Sequence, residues 1–294
     1  MKEYTPNHIR NVAFIGHGGA GKTSLAEAML FSAGATTRLG NVEEGNTLSD
    51  YHPDEIERQI SINTSLLVCE WKGNKINILD TPGYTDFTGD VKSALRVTDT
   101  ALVLVKAVEG IEVGTEIVGK YTNEFRTGVV FVVNKLDHEN ADFDKVVQQC
   151  HDYVSHEVEV IQFPLNQGLT FDTVVDVLRM KALKYQRGSN GKYTEMEIPV
   201  EAKEKAEHYR RQLLDAVAEL DENLMNKYFE LGTLSDEDLK AGLHRGIHER
   251  NLFPILCCSA TLNVGVTDIM DFIVDDCPSP PEIGDTHARP VNIT

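Results

Sequence analysis

Little in this sequence suggests a cross-linked scaffold, a membrane span or a polyanion binder. The 294 residues include five cysteines, Cys69, Cys150, Cys257, Cys258 and Cys277, an odd number with no C-x-x-C spacing. Neither a disulfide framework nor a zinc knuckle is therefore expected. Cys257-Cys258 closes the apolar run 253–258 and reads as small buried hydrophobes rather than a redox couple. No apolar run approaches the ~20 residues of a membrane span, and Met1-Lys-Glu-Tyr-Thr-Pro6 lacks the apolar core of a signal peptide. The chain reads as cytoplasmic, with no membrane partner. Positive charge is also scarce. With 28 Lys+Arg against 46 Asp+Glu the net charge is −18, which repels bare phosphate backbones and excludes non-specific nucleic-acid binding.

What is present is an ordinary globular composition, 41% hydrophobic and 25% charged, at a length that allows roughly two domains. The first half alternates β-branched runs with helical stretches, the pattern of an α/β fold with a doubly wound, mainly parallel sheet. Strands are expected at 12–15, 62–71, 76–79, 101–106 and 129–134, with Lys72-Gly-Asn74 turning the second and third into an antiparallel edge hairpin. Residues 34–60 carry glycines, charges and Pro53 without apolar periodicity, and a connection that long inside a compact domain is usually functional. After Pro164 the character changes. Residues 171–183 read as a short two-sided unit and Gly188-Ser-Asn-Gly191 as a turn. Residues 201–220 form a helix with the stripe Ala206, Tyr209, Leu213, Val217, Leu220, and Ser235-Asp-Glu-Asp238 caps another. Strand character returns at 253–258 and helix at 264–272. The expected organisation is an α/β domain over 1–163 and 251–283, interrupted by a mostly helical α+β insertion at 164–250. Residues 284–294 would be a linker and the start of a further, truncated domain. His244 and His248 have i,i+4 metal-ligand spacing but no third ligand in view, and read as a solvated helix face.

Four motifs carry the chemistry. Gly16-His-Gly-Gly-Ala-Gly-Lys-Thr23 fits G-x-x-x-x-G-K-[ST] between a strand and a helix, which is a phosphate-binding loop. The backbone N–H groups of Gly18, Gly19, Ala20, Gly21, Lys22, Thr23 and Ser24 can surround phosphates at a helix N-terminus. Lys22 supplies a point charge to the β- and γ-phosphates, and Thr23 a hydroxyl to Mg²⁺. Asp80-Thr-Pro-Gly83 follows a strand about sixty residues later; Asp80 can hold Mg²⁺ and the N–H of Gly83 can meet the γ-phosphate. Asn134-Lys-Leu-Asp137 ends another strand as a guanine reader. Asp137 accepts from the ring N1–H and the N2 amine, which adenine lacks there, so GTP is favoured over ATP. The stem of Lys135 can lie along the base, and Asn134 can tie this loop to the phosphate loop. Ser259-Ala260, after the returning strand, can donate a backbone N–H to guanine O6.

With these motifs the chain resembles the translational GTPases, and within them elongation factor G, from Asn11 to Pro281. Ala141-Asp-Phe143, Leu224-Met-Asn-Lys-Tyr228 with Leu234-Ser235, and Asp276-Cys-Pro-Ser-Pro280 also look like that family. The resemblance implies a G domain with an inserted G′ subdomain, a GTPase cycling between GTP and GDP with Mg²⁺, and action on the ribosome. It implies large-subunit RNA at the switch face, the stalk protein at the acidic G′ insertion, and a monomer. Three positions depart from the family pattern. Gly18-Gly19 stands where Ile-Asp is usual. Arg58-Gln-Ile-Ser-Ile62 places Ser61 where a Mg²⁺-binding threonine is usual. Tyr84 stands where a histidine positions the hydrolytic water, so Lys22, Gly83 and Tyr84 are the catalytic candidates. These departures resemble the divergent second elongation factor G paralogues of some bacteria. Two other readings remain: a ribosomal protection protein or class-II release factor, which share the G domain, and a GTP-sensing interaction module with little hydrolysis.

Overall fold

The computed structural model describes residues 2–154 and 157–283; the linker and strand expected at 284–294 lie outside them. The chain enters on β1 (Ile9–Gly16), forms α1 (Lys22–Ser32), and crosses a long loop containing the short α2 (Pro53–Arg58). β2 (Ser65–Trp71) and β3 (Asn74–Asp80) follow as a hairpin. Its two turn residues, Lys72 and Gly73, both take positive φ, 45° and 80°, the twist that suits a two-residue hairpin. Next come α3 (Thr88–Leu95), β4 (Thr100–Lys106), α4 (Val113–Phe125), β5 (Gly128–Asn134), α5 (Phe143–Val154) and β6 (Val158–Val160). A second unit contains β7 (Gln162–Pro164), β8 (Thr173–Asp176), β9 (Lys181–Tyr185), β10 (Tyr193–Met196), α6 (Val200–Glu219), α7 (Glu222–Leu231) and α8 (Asp236–Glu249). β11 (Phe253–Cys257), α9 (Val266–Asp276) and α10 (Pro280–Ile283) close the described chain.

Seven strands form one sheet in the order β2-β3-β1-β4-β5-β11-β6, with only the edge strand β2 antiparallel to its neighbour. Period-two alternation divides its side chains between two cores. Val12, Phe14, Leu102, Leu104, Val130 and Val132 pack with Leu25 and Met29 of α1 and Ile269 and Ile273 of α9. Ala13, Ile15, Val103, Val105, Phe131 and Val133 pack with Leu95 of α3, Val118 of α4 and Val146 of α5. Central strands covered on both faces are apolar throughout, which is why the sequence shows runs rather than alternation there. All five cysteines are buried in these cores, and burial pushes the Cys69 thiol up to about 12. Among the described residues no helix is long and apolar enough to cross a membrane.

Two features differ from the sequence expectation. β2 begins at Ser65, not at 62, because the Glu55 carboxylate accepts the backbone N–H groups of Ile62 and Asn63, both at 3.0 Å, and withdraws them from ladder pairing. β6 adds an unanticipated seventh strand on the far edge. Between β6 and β11 the chain builds a separate antiparallel sheet, β10-β9-β8-β7, and the three helices α6 to α8. In α6, Ala206, Leu213 and Val217 are buried, and Ser235 caps α8 by accepting the Asp238 N–H at 3.1 Å. His244 on α8 faces Glu282 at 3.1 Å.

This second unit is held to the main sheet by charge as well as by apolar contact. Arg179, just after β8, reaches Asp268 at 2.7 Å and Asp271 at 3.2 Å on α9, and Asp176 at 3.3 Å. Asp271 also receives Trp71 Nε1 and Lys72 Nζ, each at 2.7 Å, so α9 joins the tip of the β2–β3 hairpin to the second unit. Burial holds the Asp268 carboxyl well above its usual range and nearby Asp176 adds to this, while the Arg179 guanidinium opposes both. Removing one partner of a buried charge cluster strands the rest, at about 3–5 kcal/mol. Arg179→Met should therefore lower stability by about that much in urea unfolding at pH 7.5. The loss should shrink on acidification, as the stranded carboxyls take up protons in the folded state. A loss below ~1 kcal/mol at pH 7.5, the size of an exposed ion pair, would show that the cluster is effectively solvated.

Candidate functional site

The loop after β1 is shaped by backbone constraint. Gly21 sits at φ 91° as the residue before α1, and a Cβ there would run into the Asn134 side chain. The αL conformation is unfavourable for residues with a Cβ. It aims the N–H groups of Lys22, Thr23 and Ser24 along the axis of a helix that has no side-chain cap. The Lys22 side chain is 6% exposed and folds back on its own loop, donating to Gly16 O at 3.3 Å and His17 O at 3.2 Å. Burial lowers its pKa to about 8, and the charges of Asp80 and Asp50 act against that fall. At neutral pH it remains a cation.

Opposite the lysine lies a cluster of oxygens from four segments. Asp80, at the end of β3, is 1% exposed. Its Oδ2 accepts from Thr23 Oγ1 at 2.7 Å and Ser49 Oγ at 2.6 Å, while its Oδ1 is buried without a partner. Ser61 Oγ lies 3.2 Å from Thr23 Oγ1. Burial raises the Asp80 carboxyl. Burial also pushes Asp50 up to about 6, against a hydrogen bond from Ser61. Ser49 and Asp50 were not singled out by the sequence, since nothing local distinguishes a Ser-Asp in an aperiodic loop. The one available signal was the loop's length. That loop is fastened to α1 by Glu27, which accepts the Leu48 N–H at 2.6 Å.

At the other end, Asn134 is 1% exposed and ties three segments together. Its Nδ2 donates to Ala20 O at 2.9 Å, and its Oδ1 accepts the Ala260 N–H at 3.0 Å and Cys258 Sγ at 3.4 Å. Lys135 follows with φ 65°. Asp137 Oδ2 accepts from Thr261 Oγ1 at 3.4 Å, and its Oδ1 is buried without a partner. One expectation needs correcting. The Ser259 N–H donates to Val264 O at 2.9 Å and the Ala260 N–H to Asn134, so neither is a spare donor for a base. The loop closes on itself because Ser259 pairs reciprocally with Val264 before α9.

Gly83 and Tyr84 lie against the phosphate loop. A Cβ on Gly83 would fall 2.5 Å from Lys22 Nζ and 2.7 Å from Gly18 Cα. Thr81, two residues earlier, donates to Phe14 O at 2.6 Å and fixes the start of this segment on β1. Volume alone does not mark the site. Cavities of about 470 Å³ beside Arg179 and about 500 Å³ beside Arg250 lie elsewhere. Neither has a glycine loop with a buried lysine facing a carboxylate and hydroxyls. That arrangement suits an anion at the loop and a hard cation at the oxygens.

Comparison with known proteins is consistent with this chemistry. Residues 7–279 match the family described as elongation factor Tu GTP binding domain. Elongation factor G of Thermotoga petrophila is 37% identical over 272 residues, covering 92% of this chain and 39% of that protein. Elongation factor G of Thermotoga sp. strain RQ2 is similar to the same extent. The crystal structure of a protein from Thermus thermophilus matches with a TM-score of 0.88 and 34% identity, covering 94% of this chain and 41% of that one. The chain thus spans about two fifths of the length of these relatives.

Truncating Asn134 leaves a buried carbonyl and a buried N–H unpaired, each costing about 1–3 kcal/mol. Asn134→Ala should lose roughly 2–4 kcal/mol of unfolding free energy without any nucleotide, and the Ala260 amide should lose protection from hydrogen exchange. Native stability and protection would mean that the three loops hold without it.

Proposed function

Because the chain belongs to the elongation factor Tu GTP-binding domain family, we propose that it is the guanine-nucleotide switch of a longer, elongation factor G-like protein acting on the ribosome. In this reading residues 1–163 and 251–283 form the G domain and 164–250 the G′ insertion. The observation that carries it is the convergence of Lys22 and Thr23, Ser61, and Asp80 from three separate segments at the loop that Gly83 closes. The residues present fit a divalent cation: an unpartnered buried carboxylate oxygen lies beside two hydroxyls. Thr23, Asp80 and Ser61 would hold Mg²⁺, which when bound supplies charge neutralisation on the β- and γ-phosphates. Lys22 would leave its loop carbonyls for the phosphates, where an anion strengthens its positive charge. Ser61 and Gly83 would bind the γ-phosphate end from either side, so both loops relax when that phosphate leaves as GTP becomes GDP.

At the base end, Asp137 offers one unpartnered oxygen and one weakly engaged by Thr261, which suits two donors on guanine. Lys135 would cover the ring, and a base keto oxygen would compete with Asn134 for the Ala260 N–H. Asp137→Asn should weaken GTP binding by several kcal/mol, because the new amide repels one donor and loses a charge-assisted pair. Xanthosine triphosphate should bind the variant better than it binds the original chain. Unchanged GTP affinity by calorimetry would remove the assignment.

Tyr84 affects the rate. A phenol hydroxyl can donate to a water and orient it. Phosphoryl transfer depends mainly on positioning and charge neutralisation. We therefore place hydrolysis below that of histidine-bearing relatives, and raised by the ribosome. The switch face, with Tyr51 and Leu66 exposed, would meet large-subunit RNA.

The insertion would meet a basic stalk protein. Between Glu195 and Leu239 it carries thirteen acids against five bases. Steering of this kind acts on association rate and fades with salt. Reversing the exposed Glu204, Glu207 and Asp215 to lysine should slow ribosome association severalfold at low ionic strength in stopped flow, and less at high salt. An unchanged rate would leave these acids as a solvated face.

A further inference from the structure

Most of the loop glycines have a conformational reason to be glycine: Gly16, Gly19 and Gly21 take φ of 142°, 75° and 91°. Gly18 does not, because its φ is not positive. What distinguishes position 18 is its neighbour. A Cβ placed on Gly18 would lie 3.4 Å from Cε2 and Cζ of Tyr84 and 3.6 Å from Cε1. Near-equal distances to those three atoms put it over the face of the ring, at the hydroxyl end. The main chain fixes this approach from the other side, since Gly83 packs so closely that its own Cβ would fall 2.7 Å from Gly18 Cα and 2.9 Å from Gly18 N. Tyr84 then starts a tight turn, with the Phe87 N–H donating to its carbonyl at 3.1 Å. Tyr84 is 48% exposed, and no protein group among the described residues bonds its hydroxyl.

We propose that Gly18 is a positioning residue for Tyr84: the bare backbone at 18 is the seat of the phenol ring, and the two residues act as one unit in hydrolysis. This rests on the reading of the site as a GTPase and deepens it. A ring lying against a backbone has few orientations, so the positions open to its hydroxyl are restricted. A methyl at position 18 would just touch the ring. A branched side chain carries atoms about one bond length farther, well inside contact distance, and has to displace it. Bulk at position 18 is therefore limited by the ring at 84 rather than by the conformation of the backbone.

The test is a double-mutant cycle on the full-length protein, using single-turnover hydrolysis on ribosomes at saturating GTP, with GTP affinity measured for each variant. Tyr84→Ala should lower the rate about tenfold. Gly18→Val should lower it by a similar factor, and Gly18→Ala by less. The Gly18→Val/Tyr84→Ala double variant should be no more than threefold slower than Tyr84→Ala alone, since the seat no longer has an occupant. Losses that multiply in the double variant would overturn the pairing and assign Gly18 to the nucleotide itself. Equal rates for Tyr84→Ala and the unaltered protein would overturn it too. If Gly18→Val cannot load GTP, the Gly18→Ala pair gives the same cycle at smaller amplitude. An unaltered protein that neither binds nor hydrolyses GTP would instead refute the functional reading, which keeps the two failures distinct.

Discussion

The site depends on one buried side chain that joins loops separated by more than a hundred residues. Asn134 uses both ends of its amide, holding the carbonyl of Ala20 and the N–H of Ala260. Neither loop has much apolar material of its own. Each is an excursion from the carboxyl end of a strand, β1 or β11, with β5 and its terminal Asn134 on the same sheet. A parallel sheet delivers these loops to one edge, but only to within several ångströms. The amide sets the final spacing, and a Cβ at Gly21 would run into it. The same bond has a consequence for the base end, because the Ala260 N–H is already satisfied. A base that takes this donor must compete with Asn134, so occupancy there and the tie to the phosphate loop are energetically coupled.

A second link runs through α9. Asp271 accepts from Trp71 and Lys72 at the hairpin tip and pairs with Arg179. The hairpin's other end leads on one strand to Ser61 and on the other to Asp80. The insertion and the phosphate end are therefore joined by one hairpin and one helix, with apolar cores on each side. Asp271 is thus the residue at which the unit between β6 and β11 and the tip of the β2–β3 hairpin meet.

How much of this was legible in the sequence follows from the range of the interactions. The phosphate loop, the D-x-x-G turn and the N-K-x-D turn were readable because each is a contiguous string whose residue types are set by local geometry. The main sheet was readable from its apolar runs. Ser49 and Asp50 were not, because their role exists only once thirty residues of loop have folded onto Asp80. The start of β2 was misjudged because residues 62 and 63 have strand-like character, and a carboxylate several residues earlier takes their N–H groups. β6 was missed because three residues beside β11 gain strand character from a partner about ninety positions away. The present acceptor of the Ala260 N–H was not legible for a related reason: the sequence offers the donor but not Asn134 Oδ1, more than a hundred positions away.

The segment from 33 to 62 lacks apolar periodicity, and its attachments explain why it is suited to move. Leu39 packs against the core, and the other fastenings are polar: Ser49 to Asp80, Leu48 to Glu27, Ser61 to Thr23, and Glu55 to the chain that follows. Each is a hydrogen bond of about 1 kcal/mol net, somewhat more where a carboxylate accepts, whereas a buried leucine in the sheet contributes about 2 kcal/mol from burial alone. Such a segment can be released at low cost compared with unfolding the core. Three of its fastenings converge on the oxygens that would meet a cation or on their immediate neighbours. Whatever occupies those oxygens therefore competes for the bonds that hold the loop, and the chemistry at Thr23 and Asp80 is tied to the conformation of residues far along the chain.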